Sequence, residues 1–201
     1  METSIIPERN GLAVSVVKLA SRTFLSPFFK TNIRGIENIP EKESFVLLPK
    51  HQRWEDIPLI AISIERPLYF VAKQELFNNF LSKRVIAMLG GLPLDREKPN
   101  RSRFTFSAVL HKLKHKEGVV IFPEGTYYKN CMGSGRTGFI RMIYSNVRTV
   151  FLPAGIKYSD APGRKSVDIT FGIPVGNDKF SNPKELLDYA MNEIAGLSGL
   201  R

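Results

Sequence analysis

The sequence predicts an α/β fold: a single domain with a mixed, mostly parallel sheet flanked by helices, preceded by an N-terminal amphipathic helix. Three observations carry that expectation. Short apolar runs alternate with longer segments of helical spacing, the pattern of a sheet covered by helices. The runs "FVLL", "PLYFVA" and "GVVIFP" are continuously apolar, as strands buried on both faces are. Finally, "TVFLPAGIKY" and "SVDITFGIPV" are separated by only a short turn, which implies an antiparallel hairpin and hence a mixed sheet.

The elements follow in order. "NGLAVSVVKLASRTFLSPF" is apolar apart from a few positions, with Asn10 as N-cap and Pro27 as stop. Ser15, Lys18, Arg22 and Ser26 fall at helical spacing and form one polar stripe. This helix would be about 24 Å long, short of the ~30 Å of a bilayer core, and two cations interrupt it. Neither a cleavage pattern nor a compact basic leader accompanies it, so it does not read as a signal peptide. It can lie in a bilayer interface with its cations on anionic headgroups, or pack on its own domain. Residues 1–30 are therefore expected to form a membrane-associating segment and residues 31–201 the main domain.

"ENIPEKESFVLLPK" is a turn leading into a buried strand over 45–48. A helix follows over about 56–64, then the strand "PLYFVA". "KQELFNNFLSKRVIAMLGG" is helical in pattern and closed by Gly90 and Gly91. A short strand at "LPLDR" precedes a basic helix over about 102–116, and "GVVIFP" is the next strand. A glycine-containing loop and a short helix, roughly 138–144, lead to the two hairpin strands. The last helix lies in "SNPKELLDYAMNEIAGL", capped by Ser181 or Asn182 with Pro183 in its first turn.

Composition narrows the function. The net charge of +10 favours an anionic partner: nucleic acid, an anionic membrane surface or a phosphorylated substrate. No RNP-type aromatic motif or DNA-reading motif accompanies the charge, which argues against nucleic acid. The single cysteine, Cys131, excludes an intrachain disulfide, disfavours a structural zinc site and fits a reducing compartment.

Two stretches carry chemistry. In "HQRWED", His51 follows directly on a buried strand, where α/β sheets place reactive groups. Asp56 is five residues later, about 140° out of phase on one continuous helix, so the two cannot simply share a helical face. They meet if His51 lies in the loop and Asp56 in the first helical turn. The carboxylate would then fix one imidazole nitrogen and leave the other to take a proton. No serine or cysteine nucleophile stands beside them, which favours a base acting on a substrate hydroxyl. In "VVIFPEGTYYKN", Glu124 and Gly125 form a tight polar turn after a strand. Glu124 suits orienting an anion site or accepting from a hydroxyl, and Gly125 permits close backbone approach.

Taken together, these stretches resemble the glycerolipid acyltransferase family, whose bacterial members include 1-acyl-sn-glycerol-3-phosphate acyltransferases. "HQRWED" resembles the family's first block, and the segment ending "GLPLDR" at Arg96 resembles the second. "FPEGT" matches the third nearly verbatim, and "VFLPAGI" around Pro153 is similar to the fourth. The resemblance spans residues 34 to about 156. It implies an O-acyltransferase with His51 as general base and Asp56 as its orienting partner. The donor would be acyl-CoA or acyl-acyl carrier protein and the acceptor a lysophospholipid, with no metal or redox cofactor. Acceptor-phosphate binding would fall to Arg96, Glu124, Gly125 and Thr126, and the enzyme would sit peripherally on the cytoplasmic face of a membrane.

The chain departs from the pattern in three places. Tyr127 stands where the third block usually continues with arginine. Lys50 and Arg53 replace the asparagine before the histidine and the serine two residues after it. Either Lys50 or Arg53 supplies the missing charge, or the acceptor is another lipid alcohol or amine, such as an ornithine- or sugar-based lipid. A non-catalytic basic anion-binding module is the remaining alternative. "GSGRTG" matches a dinucleotide fingerprint only literally, since its strand ends about ten residues earlier. It reads instead as a mobile loop beside the site, touching substrate through Arg136. His111 and His115 have zinc-pair spacing without the accompanying glutamate. They are expected on a solvated face with Lys112, Lys114 and Lys116.

Overall fold

A computed structural model describes residues 9–95 and 102–200. Its centre is an eight-stranded sheet in the order β1-β7-β6-β2-β5-β3-β4, with β8 also paired to β6. The strands are β1 (Phe29–Arg34), β2 (Phe45–Pro49), β3 (Leu68–Lys73), β4 (Gly91–Leu94), β5 (Gly118–Val120), β6 (Val150–Ala161), β7 (Arg164–Phe171) and β8 (Val175–Gly176). β4, β3, β5, β2 and β6 run parallel, and β7 is antiparallel to β6 through the expected hairpin. The mixed, mostly parallel sheet is thus present.

Alternation along β2 assigns each face its own core. Val46 and Leu48 point to one side, where α4 (Arg103–Lys114), α5 (Thr137–Asn146) and α6 (Pro183–Leu197) contribute Val109, Ile140, Ile143, Leu187 and Ile194. Phe45 and Leu47 point to the other side, against Leu25 of α1 (Gly11–Leu25) and Leu59 and Ile60 of α2 (Asp56–Ser63). All of β2 is buried, as its unbroken apolar run requires.

Several elements differ from expectation, each for a local reason. β1 (Phe29–Arg34) falls in a segment to which the sequence reading assigned no element. Four of the six residues in its sequence FKTNIR are polar, and it joins the sheet edge by pairing parallel to β7, with Asn32 Nδ2 donating to Asp168 Oδ1 at 2.8 Å. The helix expected through 73–91 is a short 3-10 turn over Gln74–Phe77 followed by α3 (Phe80–Met88). Asn79 breaks it by accepting the Leu81 N–H as a new N-cap. Beyond β7, Pro174 interrupts the expected strand, and β8 pairs with the start of β6.

The polar stripe of α1 takes one of the two placements that the sequence left open. Asn10 caps it as expected, accepting from Ala13 N. Its cations, however, face the protein. Lys18 Nζ donates to the carbonyls of Ile64 at 2.6 Å and Glu65 at 3.1 Å, and Arg22 donates to that of Ile62 at 3.0 Å. These carbonyls lie in the last turn of α2, at its C-cap and one residue beyond, the end of a helix that attracts positive charge. Burial, and then the neighbouring Arg22, push the Lys18 pKa below its ordinary value. Leu12, Val16, Leu19 and Phe24 are left on the exposed side. Among the described residues, no helix is long and apolar enough to cross a membrane.

Candidate active site

β2 and β5 are parallel neighbours, so the segments that leave their carboxyl ends emerge side by side. One begins Lys50-His51 and the other runs Phe122-Pro123-Glu124-Gly125. This topology, rather than any sequence proximity, brings the two motifs together; Tyr128 N donates to His51 O at 2.9 Å across the junction.

His51 lies in the loop and Asp56 is the first residue of α2, which solves the phase problem of their spacing. Asp56 Oδ2 accepts Gln52 N at 2.6 Å and Arg53 N at 2.7 Å, closing its own turn, and lies 3.1 Å from His51 Nδ1. Its other oxygen, Oδ1, accepts from Tyr158 Oη at 2.6 Å. Asp56 is 0% exposed, and four donors converge on it. A carboxylate so satisfied holds Nδ1 in its protonated tautomer and leaves Nε2 as the basic nitrogen. The imidazole stacks on Phe122 at 3.8 Å between centroids and meets the edge of Tyr127 at 4.3 Å.

His51 lines a cleft of about 740 Å³. Phe106, Phe122 and Phe139 make part of its wall apolar; Gly125, Thr126, Lys73 and Arg136 bring donors and cations. Neither Lys73 nor Arg136 is engaged by a carboxylate among the described residues. An apolar groove of about 240 Å³ adjoins the cleft and shares Ile57, Val71, Ala72, Leu76 and Phe122 with it. Its outer wall includes Val14 and Val17 of α1 and Ile86 of α3.

Of the residues expected to bind substrate, Gly125 and Thr126 reach the cleft. Lys50 and Glu124 do not. They are 0% and 1% exposed and form an ion pair with Nζ at 2.6 and 2.8 Å from the two carboxylate oxygens. Lys50 also donates to Tyr128 O at 2.9 Å, and Glu124 accepts from His51 N and Gly133 N. The two charges neutralise each other beneath the site and splice its two loops together, so neither is available to a substrate phosphate. Arg53 lies outside the cleft lining, its guanidinium 4.7 Å from the Tyr158 ring centroid. Arg96 lies outside the described residues.

The loop read as mobile is tied at several points: Arg136 N donates to Pro123 O, and Gly133 N to Glu124. Gly125 has φ +70°, and a β-carbon there would come within 2.8 Å of Arg136 Nε, so glycine is needed where the loops cross. His111 and His115 stack on each other at 4.1 Å. Lys112 is buried rather than solvated, its Nζ 4.4 Å from the Tyr69 ring centroid. Among the described residues, no group of three or more His, Cys, Asp or Glu side chains converges as a metal site would require.

Phe122, Gln52 and Tyr158 were not singled out from sequence. For Tyr158 a signal existed: Leu152, Ala154 and Ile156 face α2, and period two carries the same face to Tyr158.

The chain matches the family model described as Acyltransferase over residues 30–157. It is 27% identical over 161 residues to a 1-acyl-sn-glycerol-3-phosphate acyltransferase of Streptococcus pneumoniae, covering 79% of this chain and 60% of that protein. It is 30% identical over 133 residues to a chloroplastic 1-acyl-sn-glycerol-3-phosphate acyltransferase of Arabidopsis thaliana, covering 66% of this chain and 36% of the relative. The chain therefore spans less than two thirds of the length of these relatives. Among solved structures, the 1-acyl-sn-glycerophosphate acyltransferase of Thermotoga maritima superposes with a TM-score of 0.75 at 25% identity, over 92% of this chain and 78% of that one.

Proposed function

Because the chain belongs to the acyltransferase family, we propose that it transfers a fatty acyl group from acyl-CoA or acyl-acyl carrier protein to the hydroxyl of a lysophospholipid. The acceptor favoured is 1-acyl-sn-glycerol-3-phosphate, giving phosphatidate. The observation that carries the reading is His51, held by a fully buried Asp56, on the wall of a cleft that also presents Gly125 and Thr126.

The chemistry follows from that geometry. His51 Nε2 takes the proton of the acceptor hydroxyl while the oxygen attacks the thioester carbonyl. Asp56 stabilises the imidazolium that forms. As the tetrahedral intermediate collapses, the C–S bond breaks and the imidazolium returns its proton to the departing thiolate. The thioester is already activated, so the reaction requires no metal or redox cofactor. Lys73 and Arg136 line the same cleft and supply the charge for an acceptor phosphate, a role neither Lys50 nor Arg53 is placed to take. Arg96 is assigned to the same phosphate by resemblance alone. The adjoining apolar groove suits an acyl chain.

The exposed side of α1, with Phe80, Leu81 and Val85 of α3, provides an apolar surface for peripheral attachment to the cytoplasmic leaflet of a membrane. Tyr127, in place of an arginine beside His51, favours a second reading in which the acceptor is a different lipid alcohol or amine.

The test is thiol release from both acyl donors with lysophosphatidate and a panel of unphosphorylated acceptors. Release that depends on lysophosphatidate and is lost in His51→Ala supports the first reading. Release driven only by unphosphorylated acceptors supports the second. Retained turnover in His51→Ala sinks both.

A further inference from the structure

We propose that Tyr158 is a positioning residue for the base: its phenol holds the far oxygen of Asp56 and so limits how strongly that carboxylate draws the proton onto His51. The inference rests on the reading of His51 as the base. Asp56 Oδ2 is shared among Gln52 N, Arg53 N and His51 Nδ1, whereas Oδ1 has Tyr158 Oη as its one partner among the described residues. The tyrosine arrives from 102 residues away on β6, where pairing with Val167 of β7 fixes its backbone and the edge of Phe29 from β1 packs on its ring. The contact is therefore set by the sheet rather than by the turn that carries His51.

The bond has one sense. Burial first, and then the Asp56 charge, push the Tyr158 pKa well above the ordinary phenol range, so the phenol remains a neutral donor. Other charges around the ring come from the same turn: Glu55 opposes ionisation of the phenol and Arg53 favours it. On the other side of His51, Lys50 and Glu124 cancel each other. Without the phenol, the negative charge on Asp56 would be drained by one donor fewer and would bind the imidazolium more tightly. The imidazole would then hold its proton more tightly, which a base that must be free to take one does not tolerate.

The experiment is an NMR titration of the imidazoles in the isotope-labelled 201-residue chain. The chain has three histidines, so His51→Ala identifies the relevant signal and His111 and His115 act as internal controls. Tyr158→Phe is expected to raise the His51 titration by about half a pH unit, leaving the other two unmoved. Fluorotyrosine incorporated at position 158 keeps the ring and strengthens the donor, so it should lower the same titration; it decides the matter if the phenylalanine variant does not fold. A His51 titration that stays within about 0.1 unit, or that moves in the same direction in both variants, overturns the proposal. Because the readout needs no turnover, it separates failure of this proposal from failure of the acyl-transfer reading.

Discussion

Removing one member of the Lys50–Glu124 pair should cost more stability than any surface change. In Lys50→Met, Glu124 keeps the N–H groups of His51 and Gly133 but loses an ammonium at 2.6 and 2.8 Å, leaving an uncompensated charge in a site that is 1% exposed. In Glu124→Gln, the ammonium keeps the carbonyls of Tyr128 and His51, the latter at 3.3 Å, with no counter-charge. Breaking a buried pair in this way costs about 3–5 kcal/mol. For a chain of this size that corresponds to a fall in Tm of roughly 6–20 °C. Replacing both partners, as in Lys50→Met with Glu124→Leu, should recover at least about 2 kcal/mol of the sum of the single losses. Urea denaturation at neutral pH measures all four proteins. If either single variant stays within about 1 kcal/mol of wild type, the pair does not hold the loops as described. A Lys50→Met protein of normal stability whose KM for the acceptor alone rises would restore Lys50 to the phosphate.

Other outcomes follow from the same geometry. Asp56→Asn should lower kcat by roughly 10²–10⁴-fold in the thiol-release assay, with a much smaller change in KM, because the amide oxygen stays on the Gln52 and Arg53 donors but brings no charge to stabilise the imidazolium. Tyr158 has a raised pKa in the folded state, so the stability it lends is complete below its unfolded value of about 10 and is lost as pH rises further. Denaturation above that pH should show wild type losing up to about 1.4 kcal/mol per unit more than Tyr158→Phe; equal slopes would refute it. Leu19→Asp and Phe24→Asp should abolish sedimentation with anionic vesicles at unchanged Tm, whereas Lys18→Met should lower Tm and leave vesicle binding intact. The reverse assignment would mean that the cations of α1 face lipid.

What the sequence made legible was what short-range pattern encodes. The central strands announce themselves because burial on both faces leaves them no polar positions, and β2 is the plainest case. β1 escapes notice because it lies at the edge, where a backbone ladder to β7 is enough and side chains such as Lys30 and Asn32 can stay polar. The pairing of His51 with Asp56 could be read because it closes within one turn. The partnership of Lys50 with Glu124 could not. Each is a charged residue beside a motif, and 74 residues of chain hide that they face each other. Period two along β6 carries Tyr158 to the α2 face, but its bond to Asp56 forms only when β6 lies beside α2. The polar stripe of α1 was evident, but periodicity gives the spacing of a face and not its destination. The carbonyl ends of α2 proved a better home for Lys18 and Arg22 than solvent.

α2 is thus gripped at both ends. Its leading residue steadies the imidazole, and its trailing carbonyls hang from α1, about 12 Å away along eight residues. A rod that short does not flex. One short helix thus joins the N-terminal segment to the loop that carries the imidazole, and the helix that looks like a mere doorstep is bonded into the same framework as His51.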